Sequence, residues 1–308
     1  MAWQYLPLTY RVLSPIHIGN RSVGIIDRTR YYVPAKNFWA AVTASLTTRL
    51  YRAQHADDYQ AVGELVQQRL RFTYFFPAAR PAERPSAGLW FYLPEYREGH
   101  TVYLEYPGKQ EVDVEAIFVS SYVSTALDPG RHAAAERLLH EIEYLQPHAR
   151  IEGDCWETHL VGGVWIALGA DPSGMEIRLE GETVLIKGLS ILDRLTIGGE
   201  RGYGFGRLQL TEDHADYLGL RGWDVQEGGP TGLFVVPPDR SVPILAHVKY
   251  ERGQVYEGLL EPVVGREWDV DKGSGRFMAQ GIVCVAPGGQ CPASAYGVEG
   301  RGLWRVIP

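Results

Sequence analysis

Gly198-Gly199-Glu200-Arg201-Gly202-Tyr203-Gly204-Phe205-Gly206-Arg207 is the most distinctive stretch of this 308-residue chain, and its neighbours organise the reading of the fold. Five glycines in nine positions let the backbone take positive φ and approach a ligand closely. Successive backbone N–H groups in such a loop form a concavity suited to an anion. Upstream, the spacing of Val184, Leu185, Leu189, Leu192 and Leu195 predicts a helix over 182–197, interrupted by Gly188. A helix C-terminus does not favour an anion, so Arg201 and Arg207 would have to supply the positive charge. Tyr203 and Phe205 offer faces for base stacking. On the residues alone a glycine-rich hairpin with ordinary strand aromatics is the commoner arrangement for such a run. No Gly-Lys-Ser/Thr follows, which excludes a nucleotide P-loop, and the preceding helical pattern excludes a dinucleotide fingerprint.

Working outward, residues 207–210 read as a strand, and a strong strand pattern lies at 155–168. Residues 4–13 alternate as a first strand, with another short one at 30–33. Phe38, Trp39, Val42, Leu46 and Leu50 give a helix face over 36–52, and a second helical window covers 57–70. Residues 71–76 read as a strand ending at Pro77, and 77–88 as a loop. Further strands are expected at 89–93, 101–106 and 112–123, while 133–146 is ambiguous between helix and strand. The order is that of an α+β chain with a ferredoxin-like, RRM-like core carrying insertions over 1–218. From Gly219 the chain is punctuated by Gly and Pro, which suggests a β-rich extension over 219–308.

The composition, 45% hydrophobic and 22% charged with 35 Gly and 19 Pro, suits a globular, turn-rich protein. No run approaches the roughly 18 apolar residues of a membrane helix. The start, Met1-Ala2-Trp3-Gln4-Tyr5, lacks a signal-peptide pattern, and Cys155, Cys284 and Cys291 lack a metal spacing. A cytoplasmic protein without membrane partners is expected. Net charge is −7, but it is unevenly spread. Residues 1–52 hold seven Lys/Arg against Asp27 alone, and 187–210 hold four against two acids. The two basic segments contain the distinctive motifs, as a nucleic-acid footprint would.

The first of these segments reads Ser14-Pro15-Ile16-His17-Ile18-Gly19-Asn20-Arg21, then Arg28-Thr29-Arg30-Tyr31-Tyr32-Val33-Pro34-Ala35-Lys36. Arg28, Arg30 and Lys36 around Tyr31 and Tyr32 make a basic-aromatic mixture that suits single-stranded RNA, or else a solvated charged loop. His17 is a general-base candidate without a visible partner, or a histidine at a strand end.

Together the segments resemble the RAMP superfamily (repeat-associated mysterious proteins) of CRISPR systems. The resemblance rests on Pro15-Ile16-His17-Ile18-Gly19, on Tyr32-Val33-Pro34-Ala35-Lys36 opening the first helix, and on the glycine-rich loop Gly198 to Gly206 late in the fold. A mid-chain pattern, Thr125-Ala126-Leu127-Asp128-Pro129 to Ala135-Glu136 and Glu141-Ile142-Glu143-Tyr144-Leu145, is similar as well. Ala35 and Asn37 depart from the glycine and serine usual there. The short interval from Asn20 to Tyr31 resembles the Cas-five-like capping subunit of type III effector complexes, which binds the repeat-derived five-prime handle of the guide RNA (crRNA). The tail, with Pro262-Val263-Val264-Gly265-Arg266-Glu267-Trp268, suits that group's degenerate second RRM-like domain.

The resemblance implies a non-catalytic subunit without metal or cofactor. Gly198, Gly199, Gly202, Gly204 and Gly206 would meet handle phosphates, and Arg201 and Arg207 would pair with them. His17, Gly19, Asn20 and Arg21 would line the same groove. Partners would be crRNA, the large polymerase-like subunit, the backbone RAMP subunits and, indirectly, target RNA. Three alternatives stay open: a backbone subunit cleaving target RNA with Asp27 or Asp128 assisting a metal, a repeat-processing endoribonuclease using His17 with Tyr31, and a scaffold without RNA contact.

Overall fold

The computed structural model describes residues 3–53, 55–128, 130–134, 138–170, 175–227, 233–239, 241–269, 273–278 and 280–307. It is a mixed α+β chain dominated by antiparallel strands. Strand β1 (Trp3–Val12) turns Leu6, Leu8, Tyr10 and Val12 inward by period-two alternation. The short strands β2 (Gly19–Val23) and β3 (Ile26–Thr29) follow, then α1 (Ala35–Leu50) and α2 (Ala56–Arg69). Pro34, in extended conformation, is the N-cap residue of α1, and Phe38, Ala41, Val42 and Leu46 form the helix's buried stripe.

The chain then runs through β4 (Leu70–Phe72), β5 (Phe76–Pro81), β6 (Trp90–Arg97), β7 (His100–Tyr106), β8 (Glu111–Val112), α3 (Val114–Phe118) and β9 (Val119–Ser124). A minimal hairpin, β10 (Leu127–Asp128) and β11 (Ala133–Ala134), leads to β12 (His140–Leu145), β13 (His148–Ile151) and the long β14 (Asp154–Ala167). Of the mid-chain pattern, Pro129, Ala135 and Glu136 lie outside the described residues, as does the side chain of Asp128.

Residues 182–197 are not a helix. They form β17 (Thr183–Ile186) and β18 (Leu189–Ser190), in a sheet with β15 (Gly169–Ala170) and β16 (Glu176–Glu180), followed by β19 (Arg194–Thr196). Lys187 and Gly188 both take positive φ (49° and 74°), which turns the chain back where a helix would continue. Thr183, Val184 and Ile186 are β-branched, and with Leu185 they satisfy a strand as well as the helical spacing. Three smaller expectations also change. Asp113 caps α3 by accepting from the Ala116 amide at 3.0 Å, which splits the strand expected over 112–123. The 133–146 run resolves as strand at 140–145. Pro77 sits inside β5, beyond the Ala78–Ala79 stretch that is paired on both edges, so its missing N–H costs no second ladder bond.

The central sheet runs β19-β20-β1-β14-β5-β6-β7-β8, with β20 at Arg207–Leu210, and β1 is antiparallel to both β14 and β20. One face packs on α1, where Phe38 stacks on Phe75 at 3.7 Å between ring centroids and meets Tyr10 at 5.5 Å. Each such fully buried ring contributes roughly 1.5–3 kcal/mol. The opposite face is covered too. Tyr217 packs on Phe76 at 5.4 Å, and its hydroxyl donates to the Tyr74 carbonyl at 2.9 Å.

Residues after 223 form a seven-stranded sheet that packs on this body, and a separate two-stranded hairpin, Arg266–Asp269 with Gly273–Met278. Arg301 lies over the Trp39 ring, Gly302 abuts Ala35 and Phe72, and the Tyr96 amide donates to the Gly288 carbonyl at 2.8 Å. A four-stranded sheet, β2-β3-β12-β9, flanks the glycine-rich segment and joins the core through paired Ile16–Leu145 backbone bonds of 2.9 Å.

Candidate nucleic-acid interface

The glycine-rich segment links β19 to β20 and is closed by the Ile197 amide donating to the Gly206 carbonyl at 2.9 Å. It is zipped onto residues 13–17. The Gly206 amide donates to the Pro15 carbonyl at 2.7 Å, the Gly199 amide to the His17 carbonyl at 2.9 Å, and the Arg207 amide to Ser14 Oγ at 3.0 Å. Gly198 and Gly206 have positive φ (76° and 88°), and a Cβ there would overlap the His17 and Ile197 carbonyl oxygens respectively. Gly202 and Gly204 face open space at the tip, around a single 3₁₀ turn, Arg201–Tyr203. The glycines thus divide into a packed base and an open tip. Among the described residues the amides of Glu200, Arg201 and Gly202 have no hydrogen-bond acceptor, so the tip presents consecutive N–H donors.

His17 holds the base of the loop. Its ring is buried, with Nδ1 2.7 Å from the Glu143 carbonyl. That carbonyl can only accept, so the hydrogen of this bond sits on Nδ1. A Cβ on Gly199 would sit 3.3 Å from His17 Cδ2, so the ring is a floor beneath the loop. Tyr31, the other member of the acid-base pair expected of a processing enzyme, bonds instead to Glu115 and Arg28. No hydrogen bond or ring contact joins it to His17. Burial, then the Glu115 carboxylate, pushes the Tyr31 phenol up to about 12.

The basic candidates separate into two sets. Arg28 is 2.8 Å from Glu115 and 3.0 Å from Glu143, and Arg30 is 2.9 Å from Glu261 and 2.8 Å from the Tyr32 hydroxyl. Lys36 lies against Gly265 and is also engaged. These side chains have partners within the chain. By contrast Asn20, Arg21, Arg201 and Arg207 are exposed and make no side-chain bond among the described residues, and Gly19 beside them is exposed. The cations left for a phosphate are Arg21, Arg201 and Arg207.

The aromatics divide the same way. Phe205 is 9% exposed and packs edge-on against Tyr144 at 5.4 Å, so its ring anchors the loop and is not open to a base. Tyr203 is 62% exposed and lies 6.4 Å from Tyr122, itself 47% exposed. The sequence reading did not single out Tyr122. Its signal was a lone aromatic in the polar strand Val119-Ser120-Ser121-Tyr122-Val123-Ser124.

Asp27 accepts from Ser22 Oγ, and no group of three or more His, Cys, Asp or Glu among the described residues is placed to hold a metal ion. A second polar cluster lies buried under the C-terminal sheet. His247 bonds through Nε2 to Glu261 and through Nδ1 to the Tyr74 hydroxyl at 2.7 Å. Burial pushes the imidazole below its ordinary value, against the opposing pull of Glu261. Burial would raise the Glu261 carboxyl, but His247 and Arg30 more than offset it and hold it at about 2.

No protein-family model and no curated protein matches the chain. Among solved structures it is similar to a chain in the cryo-EM structure of the Type III-B Cmr-beta bound to cognate target RNA and AMPPnP, state 1. The TM-score is 0.51 at 9% identity, covering 93% of this chain and 86% of that one. Cmr-beta bound to cognate target RNA gives a TM-score of 0.49 at 10% identity with the same coverages. The apo state gives 0.36 at 7% identity, over 68% of this chain and 98% of that one. At such identity the likeness is one of fold: this chain shares the mixed α+β fold of a chain in a Type III-B Cmr-beta complex.

Proposed function

We propose that this chain is a non-catalytic subunit of a type III CRISPR ribonucleoprotein that grips the five-prime handle of crRNA through the glycine-rich loop. The observation that carries the reading is the loop itself. Its base is locked onto Pro15 and His17, and its tip offers consecutive amides and an Arg201 side chain that have no partner among the described residues, beside an exposed Tyr203. A single strand needs phosphate donors, mobile cations and a stacking face, and the tip supplies all three. The fold shared with a Cmr-beta chain supports the same assignment.

In this reading the strand order β20-β1-β14-β5 is a ferredoxin-like core. Helices α1 and α2 cross from β1 to β5, and the β16–β17 hairpin takes the place of the second helix. An RRM uses its open sheet face for bases, but here Tyr217 covers that face, so RNA contact falls to the loop. Residues 1–218 form the RNA-gripping unit and 219–308 a β-rich second unit, bridging the large polymerase-like subunit and the backbone subunits in the cytoplasm. A binding role also suits the candidate catalytic groups, since Asp27 is held by Ser22 and Tyr31 by Glu115.

Nuclease footprinting of crRNA in the assembled complex tests this. The handle should be protected when the chain is present and become accessible when it is omitted, while the spacer stays protected. Equal handle cleavage in both preparations would refute the assignment.

A further inference from the structure

Tyr122 stands on β9, an edge strand, and its register partner Ile142 places it on the same face as Ser120, Ser124, His140 and Tyr144. Two aromatic pairs join that face to the glycine loop. The inner pair, the half-buried Tyr144 and the buried Phe205, fixes the loop to the sheet. The outer pair, Tyr122–Tyr203, touches at 6.4 Å with a 49° tilt and stays 47% and 62% exposed. Loop anchoring alone leaves no reason to expose two more rings, because the inner pair already provides it.

The charge pattern points the same way. Strand β9 carries no charged residue, and the β12 carboxylates Glu141 and Glu143 pair with Val123 and Ser121 on the opposite face. Neither strand puts a carboxylate on the tyrosine face, and Asp27 of β3, which pairs with Ile142 and shares that face one strand further in, is held by Ser22 Oγ, while Arg201 stands two residues from Tyr203 with no partner among the described residues. An aromatic ledge with no carboxylate on its own two strands, flanked by a guanidinium that has no partner among the described residues, suits a nucleobase followed by its phosphate.

We infer that Tyr122 and Tyr203 form a stacking ledge for one unpaired nucleobase of single-stranded RNA. This rests on the RNA-binding role proposed above, and it assigns Tyr122 a place in that site.

The test uses the full chain with short single-stranded oligoribonucleotides of the handle sequence, each carrying one 2-aminopurine. Binding should quench the fluorophore strongly at one position. Tyr122→Ala should abolish that quench and weaken binding about tenfold, with the salt slope unchanged, because a stacking contact releases no counterion. Tyr122→Phe should retain both quench and affinity, which separates a ring contact from misfolding. Arg201→Ala/Arg207→Ala should instead lower the salt slope. Unchanged quench and affinity in Tyr122→Ala, with the arginine effect intact, would overturn the ledge and leave the binding role standing. If neither substitution changes affinity or slope, the ledge and the loop assignment both fall.

Discussion

At the scale of single residues, the glycine-rich loop makes different demands at different positions. Gly206 has φ +88° and faces the Ile197 carbonyl, so a methyl group there meets both strain and overlap with backbone. Gly206→Ala should destabilise by at least about 2 kcal/mol in chemical denaturation. Gly202 faces open space, and Gly202→Ala should stay within about 0.5 kcal/mol of the parent. A similar cost at both sites would contradict the division into base and tip. The glycines, Arg201, Arg207 and His17 were legible in the sequence because a local cluster signals a local structure. The pairing of Arg28 and Arg30 was not, because their carboxylates lie 87, 115 and 231 residues away. No spacing rule reaches that far, so a basic-aromatic stretch looked the same whether free or neutralised.

Elements were legible where one period dominated. Helices α1 and α2 and strands β1 and β14 lie within about two residues of the positions their patterns predict. The 182–197 segment failed because a short run of branched apolar residues fits both periods, and the Lys187–Gly188 turn decides between them. Within β14 the pair Gly162-Gly163 has a cause that only packing reveals. A Cβ on Gly162 would enter the Phe75 ring, and one on Gly163 would enter Tyr5 on the opposite face. The strand is thin where rings cross both sides of it. Gly162→Ala should therefore cost about 1–3 kcal/mol by overpacking, and trimming the ring with Phe75→Leu in the same chain should recover part of that loss. A neutral Gly162→Ala would mean the ring has room to move.

At the scale of the whole molecule, the C-terminal sheet is fixed to the core by Arg30, Tyr32 and Tyr74 on one side and His247 and Glu261 on the other. Glu261 sits at about 2 when folded, below its ordinary 4.5. Its contribution is therefore present above about pH 4.5 and lost as pH falls from there toward 2. His247, also depressed, loses stability in the same direction as pH falls below its ordinary 6.5. Glu261→Gln should cost on the order of 2 kcal/mol near neutrality, and the deficit should shrink as the pH is lowered through that window. A deficit independent of pH would show that the carboxylate does not act through its charge. The sequence suggested a β-rich tail but not this lock, whose members are scattered from Arg30 to Glu261.

The central claim is that the loop tip holds RNA phosphates, and its most direct test is the salt dependence of guide binding. Labelled crRNA would be titrated with the complex across a salt series, with and without Arg201→Ala/Arg207→Ala. Each phosphate contact on a single strand contributes about 0.7 to the slope of log K against log salt. The double substitution should weaken binding and flatten that slope by about 1.4. Unchanged affinity and an unchanged slope would make the glycine-rich segment a hairpin only and contradict the account.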